Sequence, residues 1–178
     1  MKKETKKEIF SWIWTLAVAF VIALFLNHYI IVNANVPTGS MENTIQPGDR
    51  LIGFRLSYQK EGPKRGDIII FNYPVDESET YIKRVIGLPG ETIQISGGRI
   101  LIDGEAYKEG KDFPMISNPG LASSSITLEA GEYFVLGDNR NNSEDSRYAD
   151  IGMIKKRYIA GKIWFTCAPF EKLGFTKG

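Results

Sequence analysis

The sequence predicts one all-β domain, barrel-like or a sandwich, carried on a single N-terminal transmembrane helix. Three observations predict it. Residues 9–32 contain no Asp, Glu, Lys or Arg. The chain beyond them breaks into short β-branched or alternating runs. Turn-forming pairs such as Gly97-Gly98 and Asp103-Gly104 separate those runs, and glycine is plentiful at 18. A chain of 178 residues has room for one domain with a real core and little for two.

The apolar stretch comes first. Ser11, Thr15, Asn27 and His28 are its only clearly polar interruptions. At about 1.5 Å per residue it reaches across roughly 30 Å of hydrocarbon. Trp12 and Trp14 lie near one end and Tyr29 near the other, where amphipathic rings favour the interface. Lys2, Lys3, Lys6 and Lys7 precede the span, which places residues 1–8 in the cytoplasm and residues 33–178 outside. The competing reading is a cleaved signal peptide, for which Val32-Asn33-Ala34 would serve as the cleavage site. An apolar run longer than the usual 7–15 residues of such peptides favours a retained anchor.

Strands are expected next. Residues 67–73 (DIIIFNY) form a β-branched run, and residues 81–87 (YIKRVIG) alternate. Residues 92–95 and 99–102 flank Ser96-Gly97-Gly98 as a hairpin. Residues 132–136 (EYFVL) and 159–166 (IAGKIWFT) read as two more strands. Residues 108–125, rich in Pro, Gly and Ser, read as a long loop, and 151–158 as a place for a helical turn.

Charge and composition narrow the function. Lys plus Arg is 22 against 21 for Asp plus Glu, so no basic face for nucleic acid is expected. The one cysteine, Cys167, excludes an intrachain disulfide. The one histidine, His28, leaves a Ser-His-Asp triad or a multi-histidine metal site with nothing else to use.

Three segments hold candidate chemistry. In Val36-Pro37-Thr38-Gly39-Ser40-Met41, glycine permits a tight path and proline stiffens the approach. Such a turn presents a serine hydroxyl and N–H groups to one point, as acyl transfer requires, although a Thr-Gly-Ser triplet is more often only a turn. In the alternating run, Tyr81, Lys83 and Val85 share one face, and Ile82, Arg84 and Ile86 the other. A strand lysine is normally solvated. If Lys83 is buried, its charged form is disfavoured, and a drop from about 10.4 to about 7.5 corresponds to roughly 4 kcal/mol. The third segment, residues 137–148 (GDNRNNSEDSRY), reads as a solvated loop, a calcium loop or a support loop. Arg140 and Ser143 stand where a calcium loop wants a ligand and a glycine. As a support loop, Ser143 would hydrogen-bond a base and Asp145 would pair with Arg147.

Taken in order, the anchor, PTGSMENTI, RGDIIIF, YIKRVIGLPG and GDNRNNSEDSRY resemble the bacterial type I signal peptidase family, a family of serine proteases with a Ser–Lys dyad. The resemblance runs through nearly the whole chain and is to the compact, single-span forms. It implies Ser40 as nucleophile and Lys83 as general base, with the Ser40 N–H and the Thr38 hydroxyl as oxyanion hole. It implies Ser143 orienting the lysine, and Asp145 with Arg147 as the structural pair beneath. Many members carry serine where Thr38 stands, and the extra methyl restricts χ1. The implied substrates are signal peptides of translocated preproteins, cut after small residues in A-x-A-like sites. Val36, Ile45 and Ile82 are candidate walls of the pockets, with Pro37, Met41 and Tyr81 beside them. No metal or cofactor is implied, and a monomer in contact with membrane lipid is expected.

Geometry agrees with such a substrate. Ser40 follows Val32 by eight residues, so at about 3.3 Å per residue it lies within roughly 26 Å of the span. An extended substrate is expected beside residues 36–38 and 81–83, as an added strand. The rival readings are a sortase-like transpeptidase using Cys167, an anchored β-domain that only binds peptides, and a relative of the self-cleaving repressors.

Overall fold

The computed structural model describes residues 3–176. Of the segment expected in the cytoplasm, Met1 and Lys2 lie outside the described residues, as do the last two residues of the chain. One helix, α1 (Lys3–Tyr29), leads into β1 (Ile31–Asn35) and β2 (Arg50–Phe54). Then follow β3 (Ile68–Asn72), β4 (Thr80–Gly87), β5 (Thr92–Ser96), β6 (Arg99–Ile102) and β7 (Glu105–Ala106). The rest are β8 (Ile126–Thr127), β9 (Glu132–Leu136), β10 (Ile154–Lys155), β11 (Ile159–Ala168) and β12 (Gly174–Phe175).

The apolar stretch expected to span through Val32 is helical only to Tyr29. The β-branched residues Ile31 and Val32 instead start β1, whose Val32 and Ala34 face inward. The handover is hydrogen-bonded. Arg55 N–H donates to the Ile30 carbonyl (2.9 Å), and Arg55 Nε donates to that of Ile31 (3.1 Å). Asn33 Nδ2 reaches back to Asn27 Oδ1 (3.1 Å).

The larger sheet is antiparallel in the order β1-β2-β11-β3-β4-β9-β10, with β12 on β11. The smaller runs β7-β6-β5-β8. The all-β class with an N-terminal helix holds; the larger sheet is not a closed barrel, since among the described residues β1 and β10 end an open path. A two-residue β10 offers too little edge to close on β1, and the register shifts in β11 coil the sheet instead.

The run at β3 is buried along Ile68–Phe71 because both sheet faces are covered. Ile68 and Ile70 pack with Val36, Met41 and Ile45 on one face. Ile69 and Phe71 pack with Val85, Tyr133 and Val135 on the other. The small sheet closes a third cluster with Ile86, Ile93, Phe134 and Leu136. The β5–β6 hairpin forms where expected: Ser96 pairs with Arg99 across Gly97 and Gly98, whose positive φ angles of 54° and 74° suit a two-residue turn. Residues 108–125 are mainly loop with one 3₁₀ turn, Gly120–Ser123. The helical turn sought in 151–158 is the 3₁₀ helix Lys156–Tyr158, after β10.

Candidate active site

A cleft of about 750 Å³ opens beside β4. It exists because β9 stops at Leu136, opposite Arg84, so the strand edge at residues 80–83 has no neighbour on that side. Its facing wall is the segment from Asn35 to Met41, and its end is formed by Asn141, Asn142, Ser143, Glu144 and Tyr148.

Ser40 is presented by its neighbours. Past Pro37 the chain turns, with Glu42 N–H donating to Gly39 C=O (3.1 Å) and Ile45 N–H to Met41 C=O (2.8 Å). Met41 and Ile45 are buried, so the turn is seated in the core while Ser40 stays at the cleft rim. Val36 and Ile82 pack with them, and all four line the cleft. Tyr81 lines it too, stacked on Tyr73 with ring centroids 5.0 Å apart. Thr38 is exposed in the same wall.

Lys83 stands opposite Ile69 on β4 and is only 4% exposed. Its Nζ is hydrogen-bonded to Ser40 Oγ at 2.8 Å. Burial lowers the amine from 10.5 to about 8; the Asp145, Glu144 and Asp138 charges oppose the drop and Arg147 assists it. Roughly a tenth of such an amine is neutral at pH 7. A neutral amine accepts the serine proton, which a charged one cannot do.

The loop after β9 underlies both groups. Asp145, fully buried, accepts from Gly137 N–H (3.0 Å), Ser143 Oγ (2.9 Å) and the Arg147 guanidinium (2.8 Å from Nε and from Nη2). Ser143 shares the cleft with Lys83, but its hydroxyl donates to Asp145. Among the described residues the hydrogen bond of Nζ is the one to Ser40. Gly137 has no side chain for a reason: a Cβ there would collide with Ser143 and with the Ser40 carbonyl.

The cleft therefore collects Val36, Pro37, Thr38, Ser40, Met41, Ile45, Tyr81, Ile82, Lys83 and Ser143, with Asp145 and Arg147 beneath. Sequence reasoning gave no role to the groups that fasten its parts. Arg84 forks onto Asp138 (2.7 Å twice), and Asp138 accepts from Thr44 on the serine turn (2.5 Å). Asn139 grips Gly39 and Ser40. The legible signal was Arg84 itself, a second cation in an alternating strand whose two faces are both apolar. Cys167 lies on β11 and donates to the Arg50 carbonyl (3.3 Å), outside the cleft lining, and His28 belongs to α1. Among the described residues no group of three or more His, Cys, Asp or Glu is placed to hold a metal ion.

Residues 9–168 match the family model described as signal peptidase, peptidase S26. The chain belongs to this family. A signal peptidase I of Leptolyngbya laminosa is 37% identical over 90% of this chain and 80% of its own length. A probable signal peptidase I-2 of Synechocystis is 32% identical over 97% and 80%. A signal peptidase IB of Staphylococcus aureus is 31% identical over 94% and 93%. A solved signal peptidase I from Enterococcus faecalis is 32% identical, with a TM-score of 0.45, covering 57% of this chain and 97% of that one. As a member of the S26 signal peptidases, the chain is a serine endopeptidase of a membrane-associated family. Its α1 is long and apolar enough over Lys7–Tyr29 to cross a membrane.

Proposed function

We propose that this chain cleaves N-terminal signal peptides from exported preproteins after small residues, with Ser40 as nucleophile and Lys83 as general base. The observation that carries the reading is the 2.8 Å contact between Ser40 Oγ and a buried lysine amine inside an open cleft. The relatives named signal peptidase I supply the substrate class.

The preprotein lies extended along the open edge of β4, its small side chains against Val36, Ile45 and Ile82. Neutral Lys83 takes the proton as Ser40 Oγ attacks the scissile carbonyl. The Ser40 N–H and Thr38 hydroxyl hold the oxyanion. Lys83 returns the proton to the leaving amine of the mature protein. The signal peptide stays esterified to Ser40 until water, deprotonated by Lys83, releases it. Ser143, Asp145 and Arg147 keep the floor beneath the lysine in place.

The enzyme works as a monomer at the outer membrane surface, with residues 1–8 in the cytoplasm. Ser40 follows Tyr29, the end of α1, by eleven residues, so it stands within about 36 Å of the helix end. Phe54, which pairs with Ile31 at the start of β1, packs edge-on to Trp164 (5.7 Å), and both are exposed. Such rings suit the lipid headgroup level.

The test is cleavage of a detergent-solubilised preprotein by the parent chain, Ser40→Ala and Lys83→Ala, with folding followed by circular dichroism. The parent should cut at the signal boundary while both folded variants stay inactive. Variants that cut as fast as the parent would remove both residues from the mechanism.

A further inference from the structure

The peptide joining Gly39 to Ser40 is held from behind. The Gly39 carbonyl accepts from Asn139 Nδ2 (3.1 Å) and from Glu42 N–H (3.1 Å). The Ser40 carbonyl accepts from Asn139 N–H (3.0 Å). This peptide is trans, so its C=O and N–H point in opposite directions. Tying the Gly39 oxygen to Asn139, which is not among the cleft-lining residues, therefore turns the Ser40 N–H away from Asn139. That N–H meets no acceptor among the described residues.

We propose that Asn139 is a positioning residue for the oxyanion donor, and that Glu42 sets the orientation of Asn139. The proposal rests on Ser40 being the nucleophile. The carboxamide of Asn139 has a donor end and an acceptor end, and only the donor end suits the Gly39 carbonyl. Glu42 Oε2 accepts the second Nδ2 hydrogen at 2.9 Å. Ionised, it offers acceptors only. A flipped carboxamide would set its oxygen against both the Gly39 carbonyl and the Glu42 carboxylate. Glu42 thus locks the rotamer that turns the Ser40 N–H to the substrate.

Gly39 makes room for this lock. A Cβ at residue 39 would lie 2.6 Å from Glu42 Oε1 and 2.7 Å from its carboxyl carbon. Glycine before the nucleophile thus lets the carboxylate lie across the turn and reach Asn139. With a side chain at residue 39, the Glu42 carboxylate would have to swing off the turn and away from Asn139.

The experiment compares the full-length chain in detergent with Asn139→Ala, Glu42→Ala and Glu42→Gln. A fluorogenic peptide with alanine one and three residues before the cut supplies kcat and KM. A peptide aldehyde ending in alanine supplies affinity for a tetrahedral adduct: Ser40 Oγ bonds to the aldehyde carbon, the serine proton passes to Lys83, and the aldehyde oxygen becomes the oxyanion. Removing an oxyanion donor outright costs about 10²–10³ in kcat. Loosening one should cost less: about 30-fold for Asn139→Ala, about 10-fold for Glu42→Ala and about 3-fold for Glu42→Gln, which keeps an acceptor. Aldehyde affinity should fall in step with kcat while KM stays at the parent value, and the lost side-chain hydrogen bonds should lower the melting temperature by only about 2–4 °C. A residue that merely stapled the loop would instead raise KM, and that result overturns the proposal. So does unchanged aldehyde affinity. If Asn139→Ala does not fold, the order of the two Glu42 variants decides, and equal loss in both is fatal. Ser40→Ala separates the two levels: if it still cuts, the nucleophile assignment fails, whereas an inactive Ser40→Ala beside a fully active Asn139→Ala sinks the positioning role alone.

Discussion

Replacing Lys83 with methionine should abolish cleavage and yet stabilise the fold at neutral pH. The amine is lowered from 10.5 to about 8, chiefly by burial. At 1.36 kcal/mol per pKa unit the difference is about 3 kcal/mol. Below pH 8 both folded and unfolded chains carry the proton, so folding bears the whole penalty. Between about 8 and 10.5 the folded lysine has lost its proton while the unfolded one keeps it, and the stability of the parent rises with pH. Above about 10.5 both are neutral and the penalty is gone. Methionine matches the length of the stem and has no charge to desolvate. It also deprives the Ser40 hydroxyl of its partner, which offsets about 1 kcal/mol. Lys83→Met should therefore be about 2 kcal/mol more stable than the parent at pH 7, with the gap closing between pH 8 and 10.5. Urea unfolding in detergent at a series of pH values, followed by near-ultraviolet circular dichroism, measures it. A variant no more stable than the parent at pH 7, or a gap independent of pH, would refute the account of a desolvated lysine.

The same lowered amine shapes catalysis: kcat/KM should rise about tenfold from pH 7 to 9 and then level off, whereas an unshifted lysine would keep the rate climbing towards about pH 10.5. Gly137→Ala drives a methyl group into Ser143 and the Ser40 carbonyl. It should destabilise by about 1–3 kcal/mol and lower kcat/KM more than 10-fold, read by thermal melting and peptide cleavage. Asp138→Ala leaves the buried Arg84 guanidinium without its carboxylate and should cost about 3–5 kcal/mol in urea unfolding. Glu61→Ala, which breaks the exposed pair with Lys64, should cost less than about 1 kcal/mol in the same assay.

Much of this molecule was legible because its strands obey simple periodicities. The β-branched run at β3 marked a strand, the doubled glycine placed the β5–β6 turn, and Glu132–Leu136 is a strand with the bounds read from its residues. The start of β1 was hidden because Ile31 and Val32 are as apolar as the helix before them. Only their β-branching separates strand from span, and the deciding partner, β2, lies some twenty residues away. At the cleft, residue types and order pointed to Ser40 and Lys83. Asn139 was not legible, since its work depends on which carbonyl it meets, and that is a product of tertiary approach. The same holds for Ser143, whose hydroxyl is directed to Asp145 by a contact no spacing predicts.

The join between α1 and the sheet has a further consequence. One residue, Ile30, separates helix from strand; Arg55 bonds the carbonyls of Ile30 and Ile31, and Asn33 reaches back to Asn27 on the helix. A flexible tether would let the catalytic domain wander in height above the lipid; this junction removes that freedom. On the proposed topology, with α1 across the bilayer, the enzyme would act as a fixed gauge, its blade at a set elevation. A preprotein whose cleavable bond emerges at another height should then be cut more slowly even with alanine in both positions.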